Sequence, residues 1–243
     1  MAFLQPHAPR QPIFRAPAVV LILIALLVAA HAARTLVSAA QSLAWINQYA
    51  FIPARYSADF LSQHGIDGGS LVERGIPFLT YMFLHNDYTH LAINSLWLLA
   101  FGPIVARRFG AALLLVFFAV CGVAGAATHL AFNWASMEPV IGASAAVSGL
   151  MAAGIRLLPT ERPALLGQGP SAEAAMLPLW SRQIILFTVI WAVRNVVAGL
   201  TGFGMAGETG LIAWQAHLGG YAAGLLLSGP FDALRPRAVG HQI

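Results

Sequence analysis

From Ala18 to Ala33 the chain runs AVVLILIALLVAAHAA without a single charged residue, and comparable stretches recur along its length. A run of this kind is solvated by lipid or buried whole. In lipid, every backbone N–H and C=O needs a partner within the protein, which a helix supplies from its own segment. Charged residues make up only 9% of the chain and hydrophobic residues 58%, against about 25% and 45–50% in soluble domains. So little charge cannot clothe a soluble globule of 243 residues. The fold class is therefore all-α, a polytopic membrane protein of about six spans at roughly 20 residues each. All 13 basic residues are arginine, and only Arg107 and Arg108 are adjacent. The net charge of +4 thus reads as membrane topology, with no nucleic-acid partner. The single cysteine, Cys121, excludes an intrachain disulfide and a cysteine-based metal cluster, and it reads as packing. The first apolar stretch lacks the small-residue cleavage site of a signal peptide.

Residues 1–16 read as a Pro-rich cytoplasmic tail, 17–230 as one six-helix domain and 231–243 as a second cytoplasmic tail. The spans are expected at Ala18–Ala40, His85–Val105, Gly110–Phe132, Val140–Leu158, Gln183–Phe203 and Leu211–Leu227, the last closed by Gly229-Pro230. Residues 41–82 carry Trp45, Tyr49, Phe51 and Tyr56 in a half-polar pattern, which points to helices lying in the membrane interface. Charge placement supports the count. With both termini inside, Arg10, Arg15, Arg107, Arg108, Arg156, Arg162, Arg182, Arg235 and Arg237 fall on the cytoplasmic side. Only Arg55 and Arg74 lie in the opposite loops, as the positive-inside rule requires. Spans 2, 4 and 6 then run in the same direction.

Three fragments open those three spans: His90-Leu-Ala-Ile-Asn94, Gly142-Ala-Ser144 and His217-Leu-Gly-Gly220-Tyr-Ala-Ala-Gly224. Polar groups at membrane depth are costly unless they face a bundle interior or a wet cavity. A serine at a helix N-terminus sits beside unsatisfied N–H groups and the positive dipole end, which suits an oxyanion. His217, Gly220 and Gly224 share one helical face, and the glycines, with Gly149 opposite, let a neighbouring helix come close. A histidine within reach is the general base that a serine hydroxyl needs. His90 and Asn94, four residues apart, offer donors at the same depth. Each fragment alone reads more readily as packing than as chemistry: an N-cap serine among small residues, a small-xxx-small face, a pair of polar groups tied to neighbouring helices. No carboxylate stands at metal-ligand spacing, so neither a metal nor another cofactor is expected. No acid is placed to orient His217 either, which favours a Ser–His dyad over a triad. His31 and His129 read as lone polar groups satisfied by neighbouring helices, and Arg194 as snorkelling outward or pairing with Glu208.

With those residues named, the chain resembles the rhomboid family of intramembrane serine proteases over about residues 17–230. The likeness rests on His90 and Asn94, on Gly142-Ala-Ser144, on Ala216-His217-x-x-Gly220-x-x-x-Gly224, and on the turn Arg107-Arg108-Phe-Gly110. It implies a six-helix rhomboid-like bundle with Ser144 as nucleophile and His217 as general base. His90, Asn94 and the Ser144 backbone N–H would hold the oxyanion, and Gly142, Gly149, Gly220 and Gly224 would pack the helices at the site. It further implies single-pass membrane proteins as substrates, access past span 5, and residence in a lipid bilayer; the compact form without organelle targeting points to a bacterial inner membrane. Three departures stand out. Ala145 replaces the glycine that usually follows the serine. Ser148 occupies the position of an aromatic that packs on the histidine in many members. The first loop carries Gly75-Ile76-Pro77 in place of an anchoring Trp-Arg pair. The alternative function is a catalytically weak or inactive relative that binds membrane proteins.

Overall fold

The computed structural model describes residues 16–165, 175–202 and 213–235, with side chains omitted for 160–165. Ten α-helices follow one another: α1 (Ala18–Leu36), α2 (Ala39–Tyr49), α3 (Ala58–His64), α4 (Leu71–Gly75), α5 (Pro77–Thr80), α6 (Tyr88–Phe109), α7 (Ala111–Phe132), α8 (Ser144–Leu165), α9 (Arg182–Thr201) and α10 (Trp214–Leu234). The six long helices form a membrane bundle, and α2 to α5 make up the long first loop. Four of the six, α1, α6, α7 and α9, are long and apolar enough to cross a membrane on length and composition, and the apolar part of α8 is shorter.

Several boundaries differ from the expected spans for local reasons. The first span stops at Leu36, because Ser38 starts a new helix with a capping box: its hydroxyl accepts from Gln41 N–H and the Gln41 side chain bonds back. His85 lies before α6, whose N-cap is Asp87, accepting from His90 N–H at 2.8 Å. Helix α8 continues through Pro159 to Leu165, beyond the expected end at Leu158. Helix α10 likewise runs through Gly229-Pro230 to Leu234, so that pair does not close it. Helix α9 ends at Thr201, where Gly202 adopts a left-handed cap at φ 66°.

Helix α8 is the axis of the bundle. From Ala145 to Leu157 every residue is buried, and seven of these thirteen residues are Ala, Gly or Ser, small enough to let neighbouring helices come close. It is enclosed by α6, α7 and α10. Lipid provides no hydrophobic force between helices, so close van der Waals packing and hydrogen bonds hold them. The packing is glycine-based. A Cβ at Gly220 would run into the Ala145 carbonyl, and one at Gly224 into the backbone of Gly149. A Cβ at Gly149 would in turn meet Cys121 of α7, and one at Gly125 would lie 2.6 Å from Ala145 Cβ. Cys121 is fully buried there, as packing. The pairs 145/220 and 149/224 keep one offset, so α8 and α10 run parallel in fixed register.

Polar ties fasten the other end of the same helices. Buried Arg156 of α8 donates to Leu225 O (2.8 Å) and Ser228 Oγ (2.7 Å) of α10, and to Leu177 O (3.1 Å). Arg108, at the end of α6, forms a two-pronged ion pair with Asp232 of α10, at 2.6 and 2.9 Å. Charge-assisted bonds of this geometry are the strong kind.

If backbone contact sets the spacing of α8 and α10, Gly224→Ala should lower the unfolding free energy in detergent micelles by about 1–3 kcal/mol, the usual cost of overpacking. Gly229→Ala, where a Cβ meets nothing within 4 Å, should leave it unchanged or slightly raised.

Candidate active site

The start of α8 is an extended segment inside the bundle, and its backbone groups are satisfied by the first loop. Val140 and Phe51 exchange two hydrogen bonds, Phe51 N to Val140 O at 3.1 Å and Val140 N to Phe51 O at 2.8 Å. Gly142 N donates to Tyr81 O at 2.9 Å. Irregular backbone at membrane depth is tolerated only under such cover. Gly142 itself has φ +114°, which L side chains rarely adopt, and it turns the chain into the first residue of α8, Ser144.

Ser144 Oγ lies 2.7 Å from His217 Nε2. Both residues are half-buried, so the pair is shielded without being sealed. The sequence fragments from spans 4 and 6 are thus brought into direct contact. His90 and Asn94 lie against the turn before the serine: a Cβ on Gly142 would sit 2.7 Å from His90 Nε2 and 3.9 Å from Asn94 Nδ2. Asn94 is buried and donates to His90 O at 3.0 Å. All eight residues singled out from the sequence, the four polar ones and Gly142, Gly149, Gly220 and Gly224, line one seam of α6, α8 and α10. Ser148 is turned away from chemistry, its hydroxyl donating to Ser144 O at 2.7 Å.

Two contributors escaped the sequence reading. The first is Asn195 of α9, whose Oδ1 lies 2.9 Å from His217 Nδ1. It is an amide where a triad would have an acid, and its signal in the sequence is a polar residue inside an apolar span. The second is Arg34, at the end of α1. Its guanidinium donates to His85 O (2.5 Å), Asn86 O (3.0 Å) and Ser42 Oγ (3.0 Å). It thereby clamps the turn that leads into α6 and His90. His31 joins the same turn, with Nδ1 3.2 Å from His85 O, and the His85 and His90 rings stand edge to face at 5.1 Å. His129 is tied to Asn133, the residue just past the end of α7. Arg194 is exposed, and Glu208 lies outside the described residues. Among the described residues, no three His, Cys, Asp or Glu are grouped to hold a metal ion.

The first loop is anchored without a Trp-Arg pair. Phe51, Tyr56, Phe78 and Tyr81 form an aromatic cluster with ring centroids 4.7–6.2 Å apart. Tyr81 donates from its hydroxyl to Gly122 O of α7 at 2.8 Å. Tyr56 donates to Arg74 O at 2.7 Å, and burial pushes its phenol up to about 12, so it stays a donor throughout the physiological range.

A family model described as the Rhomboid domain matches residues 73–231, a range that includes His90, Asn94, Ser144, Asn195 and His217. No curated protein matches the chain.

Two glycines at positive φ separate strain from contact. Gly110→Ala, at φ +84° with open space around it, should cost only the backbone strain, about 1–3 kcal/mol. Gly142→Ala adds a collision with His90 and should cost measurably more in the same detergent unfolding assay.

Proposed function

The chain belongs to the rhomboid family, a family of integral membrane proteins that are generally intramembrane proteases, and from that premise we propose that it is a serine endopeptidase cleaving membrane-embedded segments. The observation that carries the reading is the 2.7 Å approach of Ser144 Oγ to His217 Nε2. That distance is within the range at which a base can take up the hydroxyl proton as the oxygen attacks. Family membership supports membrane proteins within the bilayer as the substrate class, and the contact supports Ser144 and His217 as the reacting pair.

In the proposed reaction, Ser144 Oγ attacks the scissile carbonyl carbon and its proton passes to His217 Nε2. The carbonyl oxygen becomes an oxyanion at the positive end of α8, met by the Ser144 backbone N–H and by side-chain N–H donors from His90 and Asn94. Collapse expels the amine, which takes the proton from His217, and leaves an ester on Ser144. Water then attacks the ester, His217 again accepts and returns the proton, and the carboxylic acid departs with the serine restored. The two side-chain donors are held from α6 and the backbone donor from α8, so the partial positive charge is fixed before any substrate arrives.

The substrate fitting this site is a single-pass protein whose helix unwinds locally, because a peptide bond inside an intact helix is sterically shielded. We also read the six long helices as six spans with both termini cytoplasmic, in a bacterial inner membrane. The arginine distribution and the pairing of Arg108 with Asp232 at one end of the bundle support that orientation.

Purified protein reconstituted with a single-pass substrate carrying a helix-breaking residue should cleave it. Ser144→Ala should reduce turnover by on the order of a thousandfold or more. A fluorophosphonate should label Ser144 in the folded protein and fail to label His217→Ala. Cleavage undiminished in Ser144→Ala would remove the assignment, and wild-type protein that neither cleaves nor labels would favour a non-catalytic binder of membrane proteins.

A further inference from the structure

We propose that Asn195 is a positioning residue for His217, and that it selects the ring tautomer able to take the Ser144 proton. The inference rests on the protease reading and adds to it a third member from a helix outside the α6–α8–α10 seam.

The orientation of the Asn195 amide is determined by its two contacts. Its Nδ2 donates to Trp191 O at 2.9 Å, one turn back along α9. The opposite atom, Oδ1, faces His217 Nδ1 at 2.9 Å. An amide oxygen only accepts, so Nδ1 carries the hydrogen and donates it. A neutral imidazole has one N–H. With that hydrogen on Nδ1, the lone pair is on Nε2, 2.7 Å from Ser144 Oγ. The other tautomer would set two lone pairs against each other at Asn195 and point an N–H at the hydroxyl, which cannot then be deprotonated.

The frame around this contact keeps it in place. Tyr221, four residues after His217, stacks on Trp191, four residues before Asn195, with centroids 4.2 Å apart and planes at 17°. The Tyr221 hydroxyl and Thr188 Oγ1 are 2.8 Å apart. Residues 188, 191 and 195 share one face of α9, so the helix meets α10 along a seam one aromatic stack and two hydrogen bonds deep. Ser148, at the position where many family members hold the histidine with an aromatic, is bonded to its own helix. The support for His217 comes from α9 instead.

The titratable groups facing His217 from the other helices are His90 of α6 and His129 of α7, and α8 contributes Ser144. Among the described residues of α9, Arg194 is exposed beside the contact. No carboxylate stands next to the ring among these groups, so introducing one is a clean perturbation.

The test uses the full chain in micelles or proteoliposomes, with ¹⁵N-histidine labelling and assignment through His217→Gln. In wild type the His217 ring should show the Nδ1–H form. Asn195→Ala should mix the tautomers and lower kcat by about 10–100-fold, with KM within twofold and unfolding little changed. Asn195→Asp should move the acid limb of the kcat profile to higher pH by a unit or more, because a carboxylate there favours the imidazolium. A merely structural asparagine would move stability and leave the tautomer and kcat of Asn195→Ala at their wild-type values. Wild-type tautomer and kcat in Asn195→Ala, or an unmoved acid limb in a folded Asn195→Asp, would overturn the proposal. The NMR signal reports the ring whether or not peptide is cleaved. Absent cleavage with an intact Nδ1–H form therefore counts against the protease reading and leaves the Asn195 contact standing.

Discussion

The whole site depends on how closely two helix backbones can approach. At Gly220 and Gly224 the backbone of α10 lies against the carbonyls of Ala145 and Gly149 with no room for a Cβ. A single methyl at either place would push the helices apart and carry His217 away from Ser144. In a bilayer, where apolar side chains gain little by meeting one another, this contact is one of the few sources of cohesion. It is backed at the far end by Arg156 on Leu225 and Ser228 and by Arg108 on Asp232. The bundle is therefore pinned at both ends, with the reactive pair at one end and the charged pair at the other.

The second constraint is backbone satisfaction. An extended stretch at Val140–Gly142 would be untenable in hydrocarbon by itself. The first loop supplies the missing partners through Phe51 and Tyr81, and it is kept in position by its aromatic cluster and by Arg34 at the turn before α6. The loop is thus a structural part of the site through the backbone partners it supplies. The structure gives this loop a purpose that its amphipathic pattern alone did not reveal.

Much of the site was readable from local pattern. His90 and Asn94 four apart, a serine after Gly-Ala, and His217 on one face with two glycines are short-range statements, and the parallel run of their helices followed from arginine placement. What sequence could not supply was partnership between distant residues of unremarkable type. Asn195 is one amide in an apolar helix, and only the approach of α9 to α10 gives it a role. Arg34 is one arginine near the end of an apolar span, and only the fold makes it a clamp on a turn some fifty residues away. Two helices also run past prolines at the expected span ends: Pro159 and Pro230 both lie within helices.

Helix α9 has two unlike faces. Thr188, Trp191 and Asn195 look inward, while Val189, Ile190, Val193 and Val197 are exposed on the outside. The inner face must conserve shape and hydrogen-bonding character to hold the histidine. The outer face has only to remain oily. Substitutions that adapt the protein to a thicker, thinner or more fluid bilayer can therefore accumulate on α9 without reaching the chemistry, so the helix closest to changing lipid surroundings insulates the site from them.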